Sequence, residues 1–203
     1  MPWRPRKNLI QHRLIILNYN LGNKILIIGP NGSGKTTFGR KLSQTLNLPF
    51  YELDFYSWQP DWKETDYSEF RNITEQITSQ NRWIVDGNYA RNQDITIPRA
   101  DTIIWLDVPQ LVSVYRTLKR SVIRAITKEP LWHNNSESFR RLFSKDSVMI
   151  FALYSYKRKK SRYEKFMRVK FKEKNWVRIR NKRDEREFWR FVHSSDCLKH
   201  PIE

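Results

Sequence analysis

Apolar positions along the chain switch between two periods, and the switches mark an alternation of strands and helices. Residues 24–29, Lys-Ile-Leu-Ile-Ile-Gly, are an almost continuous apolar run ending in glycine, the pattern of a strand buried on both faces. Residues 35–46 change to helical spacing, with Phe38, Leu42 and Leu46 on one stripe and Pro49 three residues past the end. A second strand is predicted over 50–53, then a helix over 66–80 with Phe70, Ile73 and Ile77 aligned. Residues 82–85 and 102–107 repeat the buried-strand pattern, and 110–128 forms an amphipathic helix. The stretch 138–168 reads as mostly helical, with a break near 144–146. A strand over 176–179 and a helix over 184–192 complete the pattern, the helix capped by Asp184 with Glu187 at capping-box spacing. Residues 13–17 are a candidate edge strand. Such alternation predicts a parallel sheet in a three-layer α/β/α fold.

Residues 1–22, with Pro2, Pro5 and early basic residues, read as an N-terminal arm before one domain over 23–203. A chain of 203 residues suits a single domain with a sizeable core. No apolar run approaches the ~18 residues that span a bilayer. The single cysteine, Cys197, cannot form an internal disulfide, and the four histidines lack zinc-site spacing. No signal-peptide pattern opens the chain, so a cytoplasmic protein is expected.

Charge alters this picture, because it is lopsided. Residues 1–110 carry 13 Lys/Arg against 11 Asp/Glu, whereas 111–203 carry 25 against 10. The stretch 157–174 alone holds ten basic residues and two acidic ones. That field attracts phosphates on nucleotides, nucleic acid or a membrane surface, or else it is a solvated helix face. Tyr154, Tyr156, Tyr163 and Phe166 lie among these charges and either stack on bases or pack onto the core.

The first strand runs into Gly29-Pro30-Asn31-Gly32-Ser33-Gly34-Lys35-Thr36, a full match to G-x-x-x-x-G-K-[ST] between a strand and a helix. Glycines let successive backbone N–H groups turn inward around a phosphate, and the helix N-terminus adds its positive end. Lys35 reaches the β- and γ-phosphates, Thr36 ligates Mg²⁺, and Thr37 bonds the α-phosphate. The motif predicts nucleoside triphosphate binding. Asp86 and Asp107 each close a buried strand and point to the same end of the sheet. Asp86 is favoured for Mg²⁺ through water. Asp107 is either catalytic or a cap for the helix that starts near Gln110.

The phosphate loop, followed by YELDFYSWQPDW, RWIVDGNYAR, ADTIIWLDVP and RTLKRSVIR, resembles the small adenylate-kinase-like P-loop proteins of the DNA topology modulation (FlaR-type) family, over residues 24–180. The stretch VDGNYAR is also similar to the Asp-Gly-Phe-Pro-Arg segment of adenylate kinases, without its proline. The resemblance implies an ATP-binding kinase core with Lys35 and Thr36 on the phosphates and Mg²⁺, and leaves the acceptor open. In kinases of this layout a carboxylate at Asp54, here the end of the second strand, orients or deprotonates the acceptor hydroxyl; the alternative is a turn or cap carboxylate. The resemblance also makes 120–170 a helical lid, whose arginines neutralise the transferring phosphoryl. Arg116, Arg120 and Arg124 recur every four residues on one helical face, with Arg140 and Arg141 beyond, and Arg120 and Arg124 are the candidates. A solvated basic face is the other reading.

Four aromatics in eight residues, Phe55, Tyr56, Trp58 and Trp62, either stack on a base or form their own small core, the second being favoured. Only Arg71, Arg82 and Arg91 flank this region, with Arg91 a candidate phosphate clamp. So few arginines favour a hydroxyl-bearing or neutral acceptor. No Asn-Lys-x-Asp motif is present, which favours ATP, and 180–184 is a candidate adenine loop. The expected function is a MgATP-dependent phosphotransferase or ATPase; the alternative is an ATP-switched nucleic-acid-binding protein.

Overall fold

A computed structural model describes residues 15–16, 20–87, 89–135 and 148–194, with the backbone alone at 15–16 and 148–154. Most of the N-terminal arm, the break near 144–146, and Arg140 and Arg141 lie outside these residues, as does the side chain of Tyr154. The strands are β1 (Ile15–Ile16), β2 (Lys24–Ile28), β3 (Phe50–Glu52), β4 (Trp83–Asp86), β5 (Thr102–Leu106) and β6 (Asn175–Ile179). The helices are α1 (Lys35–Leu46), α2 (Leu53–Ser57), α3 (Tyr67–Ser79), α4 (Gln93–Arg99), α5 (Gln110–Thr127), α6 (Val148–Lys165) and α7 (Lys182–His193). A π-helical turn, Phe166–Lys170, continues α6.

The sheet order is β1-β6-β5-β2-β4-β3. Five strands pair in parallel, and β1 joins the β6 edge antiparallel. The predicted α/β/α fold is therefore the observed one. β2 lies between β4 and β5, and its alternate residues feed two cores. Ile25 and Ile27 pack with Phe38 and Leu42 of α1 and Phe188 and Val192 of α7. Leu26 and Ile28 pack on the opposite face with Phe70 and Ile77 of α3, Trp105, and Tyr163 of α6. Burial on both faces is why this strand reads as an unbroken apolar run.

Three local expectations change. The second strand stops at Glu52, so Asp54 falls in the first turn of α2 instead of ending the strand. α7 starts at Lys182 and is capped by Asn181, whose side chain accepts from the N–H groups of Arg183 (2.8 Å) and Asp184 (3.0 Å). Asp184 is instead buried and accepts from both the N–H and Nε of Arg180, at 3.0 and 2.9 Å, within the turn expected to hold adenine. The expected lid interval also includes packed structure. Tyr163 is buried with its ring 5.7 Å from that of Trp105, and Tyr156 Oη donates to Val108 O at 2.9 Å. Of the interleaved aromatics, Tyr163 is core.

Trp83, Trp105 and Trp176, on β4, β5 and β6, are the largest fully buried side chains among the described residues. Trp83 also donates its Nε1–H to Thr78 O at 3.2 Å, fastening β4 to the end of α3. Trp83→Ala is expected to lower the unfolding free energy by about 3–5 kcal/mol. Urea titration should show a lower midpoint at unchanged slope; an unmoved midpoint would place this ring outside the cooperative core.

Candidate functional site

The loop that leaves β2 turns back on itself within six residues, and two glycines make that possible. Gly34 has φ +93° and ends the loop as the N-cap of α1, without any side-chain cap and without an acidic residue in the first turn. The first N–H groups of α1 are thus left for an outside acceptor. Gly32 has φ +75°, and a Cβ there would meet Thr117 Oγ1 of α5 at 2.5 Å. A seam of small residues on α5 (Ser113, Thr117 and Ser121, all buried) lets the helix lie directly against the loop. Ser113 Oγ donates to Asn31 O at 2.5 Å, pinning the loop to the helix. Lys35 Nζ donates to Pro30 O at 3.4 Å across the loop mouth. Gly29, Pro30 and Ser33 are buried, and Thr37 is exposed in the first turn of α1.

Strand register brings carboxylates to this loop. Asp86 pairs with Ile27 of β2 on one side and Glu52 of β3 on the other. Thr36 Oγ1 donates to Asp86 Oδ2 at 2.7 Å, with Glu52 Oε1 a second acceptor at 3.2 Å. Arg40, one turn along α1, pairs with Glu52 Oε2 at 3.2 Å. Asp86 is fully buried, and burial pushes its carboxyl up to about 6. Lys35 and the Thr36 hydroxyl oppose that rise, whereas Asp54 and Glu52 add to it. Asp86 Oδ1 has no hydrogen-bond partner among the described residues. A buried carboxylate oxygen without a donor, beside a threonine hydroxyl, fits a hard cation that prefers oxygen ligands. Among the described residues no group of three His, Cys, Asp or Glu side chains is arranged to hold a metal ion, so such an ion would need further ligands from phosphate or water.

Asp54 accepts a 2.5 Å hydrogen bond at Oδ1 from the hydroxyl of Tyr89, whose ring stands edge-on to Phe70 at 4.8 Å. Burial and the adjacent Asp54 charge hold the Tyr89 hydroxyl well above its ordinary range, so it is a fixed donor. Asp107 is engaged elsewhere. It accepts from Arg178 Nε at 2.9 Å and Nη2 at 2.5 Å, with Lys160 at 3.6 Å. The carboxylate that the sequence left between catalysis and capping therefore ties α6 and β6 to the end of β5. Arg91 lies 3.6 Å from Glu64 with its guanidinium over Tyr67 and Phe70, at 5.5 and 5.6 Å.

Arg116 and Arg120 are exposed on α5, and Arg124 pairs with Glu129 at 4.0 Å. The row runs beside the small-residue seam, one position ahead of Thr117 and Ser121. Beyond α5, the chain folds back onto the aromatic loop. Asn135 accepts from Trp62 N and donates to Gln59 O, both at 2.9 Å, and His133 Nε2 lies 3.0 Å from Phe55 O. Trp58 packs edge-on to Trp62 and Phe55 edge-on to Tyr56, but none of the four rings is buried and Phe55 is exposed, so they form ring pairs at the surface where the sequence favoured a small core. A cleft beside it is lined by Arg40, Tyr51, Glu52, Phe55, Tyr56 and Trp132.

Glu52, Tyr89 and Lys159 belong to this region but do not stand out in the sequence. Lys159 of α6 is half-buried within the electrostatic reach of Lys35 and Asp54. Glu52 was legible only as a neighbour of Asp54, and Lys159 only as one of ten bases.

A family model described as the ATPase family associated with various cellular activities (AAA) matches residues 25–108. A shikimate kinase of Blochmanniella floridana is 58% identical over 31 residues, which are 15% of this chain and 17% of that protein. Shikimate kinase 1 of Escherichia coli (strain K12 / DH10B) is 53% identical over 30 residues, again 15% and 17%. The matched stretch thus spans about a sixth of these curated relatives. Among solved structures, a gluconokinase from Sinorhizobium meliloti 1021 superposes with a TM-score of 0.50 at 16% identity, covering 85% of this chain and 90% of that one. A shikimate kinase from Acinetobacter baumannii in complex with shikimate gives 0.50 at 14% identity, covering 90% and 96%. At such identities the likeness is one of fold, and the fold is that of adenylate-kinase-like P-loop kinases.

The Tyr89–Asp54 contact can be weighed directly. A double-mutant cycle of Tyr89→Phe and Asp54→Ala, read by urea unfolding, is expected to show a coupling energy of about 1.5–3 kcal/mol. Additive losses would mean that the hydroxyl does not hold the carboxylate.

Proposed function

We propose that the protein is a cytoplasmic, Mg²⁺- and ATP-dependent phosphotransferase of the DNA topology modulation (FlaR-type) branch of adenylate-kinase-like proteins, acting on a hydroxyl of a small acceptor. One observation carries the reading: Thr36 hydrogen-bonds a buried Asp86 that has one oxygen left over, at the foot of an uncapped helix preceded by a phosphate loop. Hydrolysis alone would need no acceptor carboxylate. The pair of Asp54 and Tyr89, beside a cleft lined by aromatic residues, therefore favours transfer to a hydroxyl. The names gluconokinase and shikimate kinase, carried by proteins of the same fold, support a small-molecule acceptor.

In this reading Gly29 to Gly34 and the N-terminus of α1 cradle the phosphates, and Lys35 meets the β- and γ-phosphates. Thr37 bonds the α-phosphate. Thr36 and Asp86 would hold Mg²⁺, directly or through water, which neutralises phosphate charge when bound. Tyr89 fixes one oxygen of Asp54, and Asp54 accepts the hydroxyl proton of the acceptor. Little covalent work falls to the protein, because phosphoryl transfer is loose and depends on positioning. Arg120 and Arg124 flank the seam of α5 from which charge could be met, and Arg91 is the candidate for an anionic group on the acceptor. A polynucleotide partner draws its support from the exposed bases of α6 and the following turn, among them Lys157, Arg158, Lys165 and Arg168.

An acceptor screen with a coupled ADP readout tests the reading, using small hydroxyl-bearing metabolites beside single- and double-stranded oligonucleotides. Turnover raised by a small hydroxyl compound supports transfer. Turnover raised only by polynucleotide, with binding that falls steeply with salt, would replace it by the nucleic-acid switch. Lys35→Ala is expected to lower turnover by about 10²–10³ with an unchanged thermal melt. Arg120→Ala or Arg124→Ala is expected to lower kcat by about 10³ or more while leaving ATP affinity within a few-fold. Unchanged turnover in both arginine variants would make that row a solvated face.

A further inference from the structure

α5 turns its small polar side chains to the protein and its larger apolar ones to solvent. The seam against the phosphate loop is Ser113, Thr117 and Ser121, all buried. Leu111, Tyr115 and Ile126 are instead 83%, 64% and 66% exposed, with Val112 and Ile123 exposed beside them. Among the described residues eight large apolar side chains are exposed, and these five make the patch a property of one helix. At about 100° per residue they fall within an arc of about 120°, along roughly 22 Å of α5. A contiguous apolar patch with a polar rim marks a surface that meets a partner.

The rim has one sign. Residues 110–128 hold Arg116, Lys119, Arg120, Arg124 and Lys128 and no Asp or Glu. Arg124 pairs with Glu129, but Lys119 is exposed inside the apolar arc and Arg116 is exposed along its border. α6, packed beside α5, adds exposed Lys157, Arg158 and Lys165 to the field. This combination selects the occupant. A second copy docked about a two-fold axis would set cations against cations, with no carboxylate on the helix to separate them. A polynucleotide would meet the cations but leave Leu111 and Ile126 against its charged backbone. An anionic bilayer meets both: headgroup phosphates take the cations, and the aliphatic side chains enter the acyl boundary. Lys119 can lay its stem along that boundary with its ammonium among the headgroups, and Tyr115 is apolar in body and polar at its tip. We propose that the outer face of α5 seats the protein on an anionic lipid surface, with the helix axis lying in the plane of the interface.

Flotation of the full-length protein with vesicles tests this, comparing phosphatidylcholine alone with phosphatidylcholine containing about a third phosphatidylglycerol. The wild type should bind the mixed vesicles, bind the plain ones about tenfold more weakly or less, and lose binding as salt rises. Leu111→Ala combined with Ile126→Ala should weaken the partition about tenfold at an unchanged thermal melt, because both side chains are exposed in the free protein. Lys119→Gln should weaken it about fivefold, and on the mixed vesicles only. A wild type that ignores mixed vesicles at low salt would overturn the proposal. So would a double variant that binds them as tightly as the wild type, since the cations alone would then be acting. Light scattering that shows a dimer for the wild type and a monomer for the double variant would assign the face to a second copy instead.

Discussion

The parallel register of β3, β4 and β2 is the constraint on which the rest of the structure depends. Glu52, Asp86 and Ile27 are neighbours across three strands, and the phosphate loop begins two residues after Ile27. Parallel strands end together, so their last side chains are brought to one edge of the sheet whatever their distance in sequence. Two carboxylates and the threonine of the loop thus meet within hydrogen-bonding distance although 50 residues separate Thr36 from Asp86. The apolar residues of β2 hold that edge in place, because both faces of the strand are buried and a slip would exchange the side chains fitted into the two cores.

Such a cluster of carboxylates is electrostatically costly on its own. Burial and the neighbouring Asp54 and Glu52 charges all raise the Asp86 carboxyl, and Lys35 opposes them. Arg40 meets Glu52, and Tyr89 holds Asp54. That strain would be relieved by a divalent cation, whose charge is opposite to those that crowd the edge. An edge crowded with carboxylates and poorly balanced alone is chemically suited to a cation.

The second determinant is size. Ser113, Thr117 and Ser121 let α5 approach the loop until Gly32 has no space for a Cβ. Larger residues on that seam would push α5 outward and carry the Arg116, Arg120 and Arg124 row away with it. The segment after α5 is held in turn by His133 on Phe55 of α2 and by Asn135 on the aromatic loop that follows. Aromatic loop, phosphate loop and arginine helix are thereby linked by short contacts.

The sequence by itself determined the strand and helix pattern, the parallel class of the sheet and the phosphate loop, because each is encoded by residues close together in the chain. A two-sided apolar run, a helical stripe and a glycine-lysine turn need no distant partner to be recognised. Where a distant partner decides, the sequence was silent or open. Asp54 and Glu52 lie two residues apart in the same short motif, and only strand register put Glu52 beside Thr36 and left Asp54 to Tyr89. Asp107 looked as suited to catalysis as to capping until Arg178, 71 residues away, claimed it. Tyr163 was one aromatic among a run of bases, and packing against Trp105 of β5 made it core. Local pattern reports which groups are available, whereas charge and hydrogen bonding act through space, so the partner of each group is set only when the layers pack.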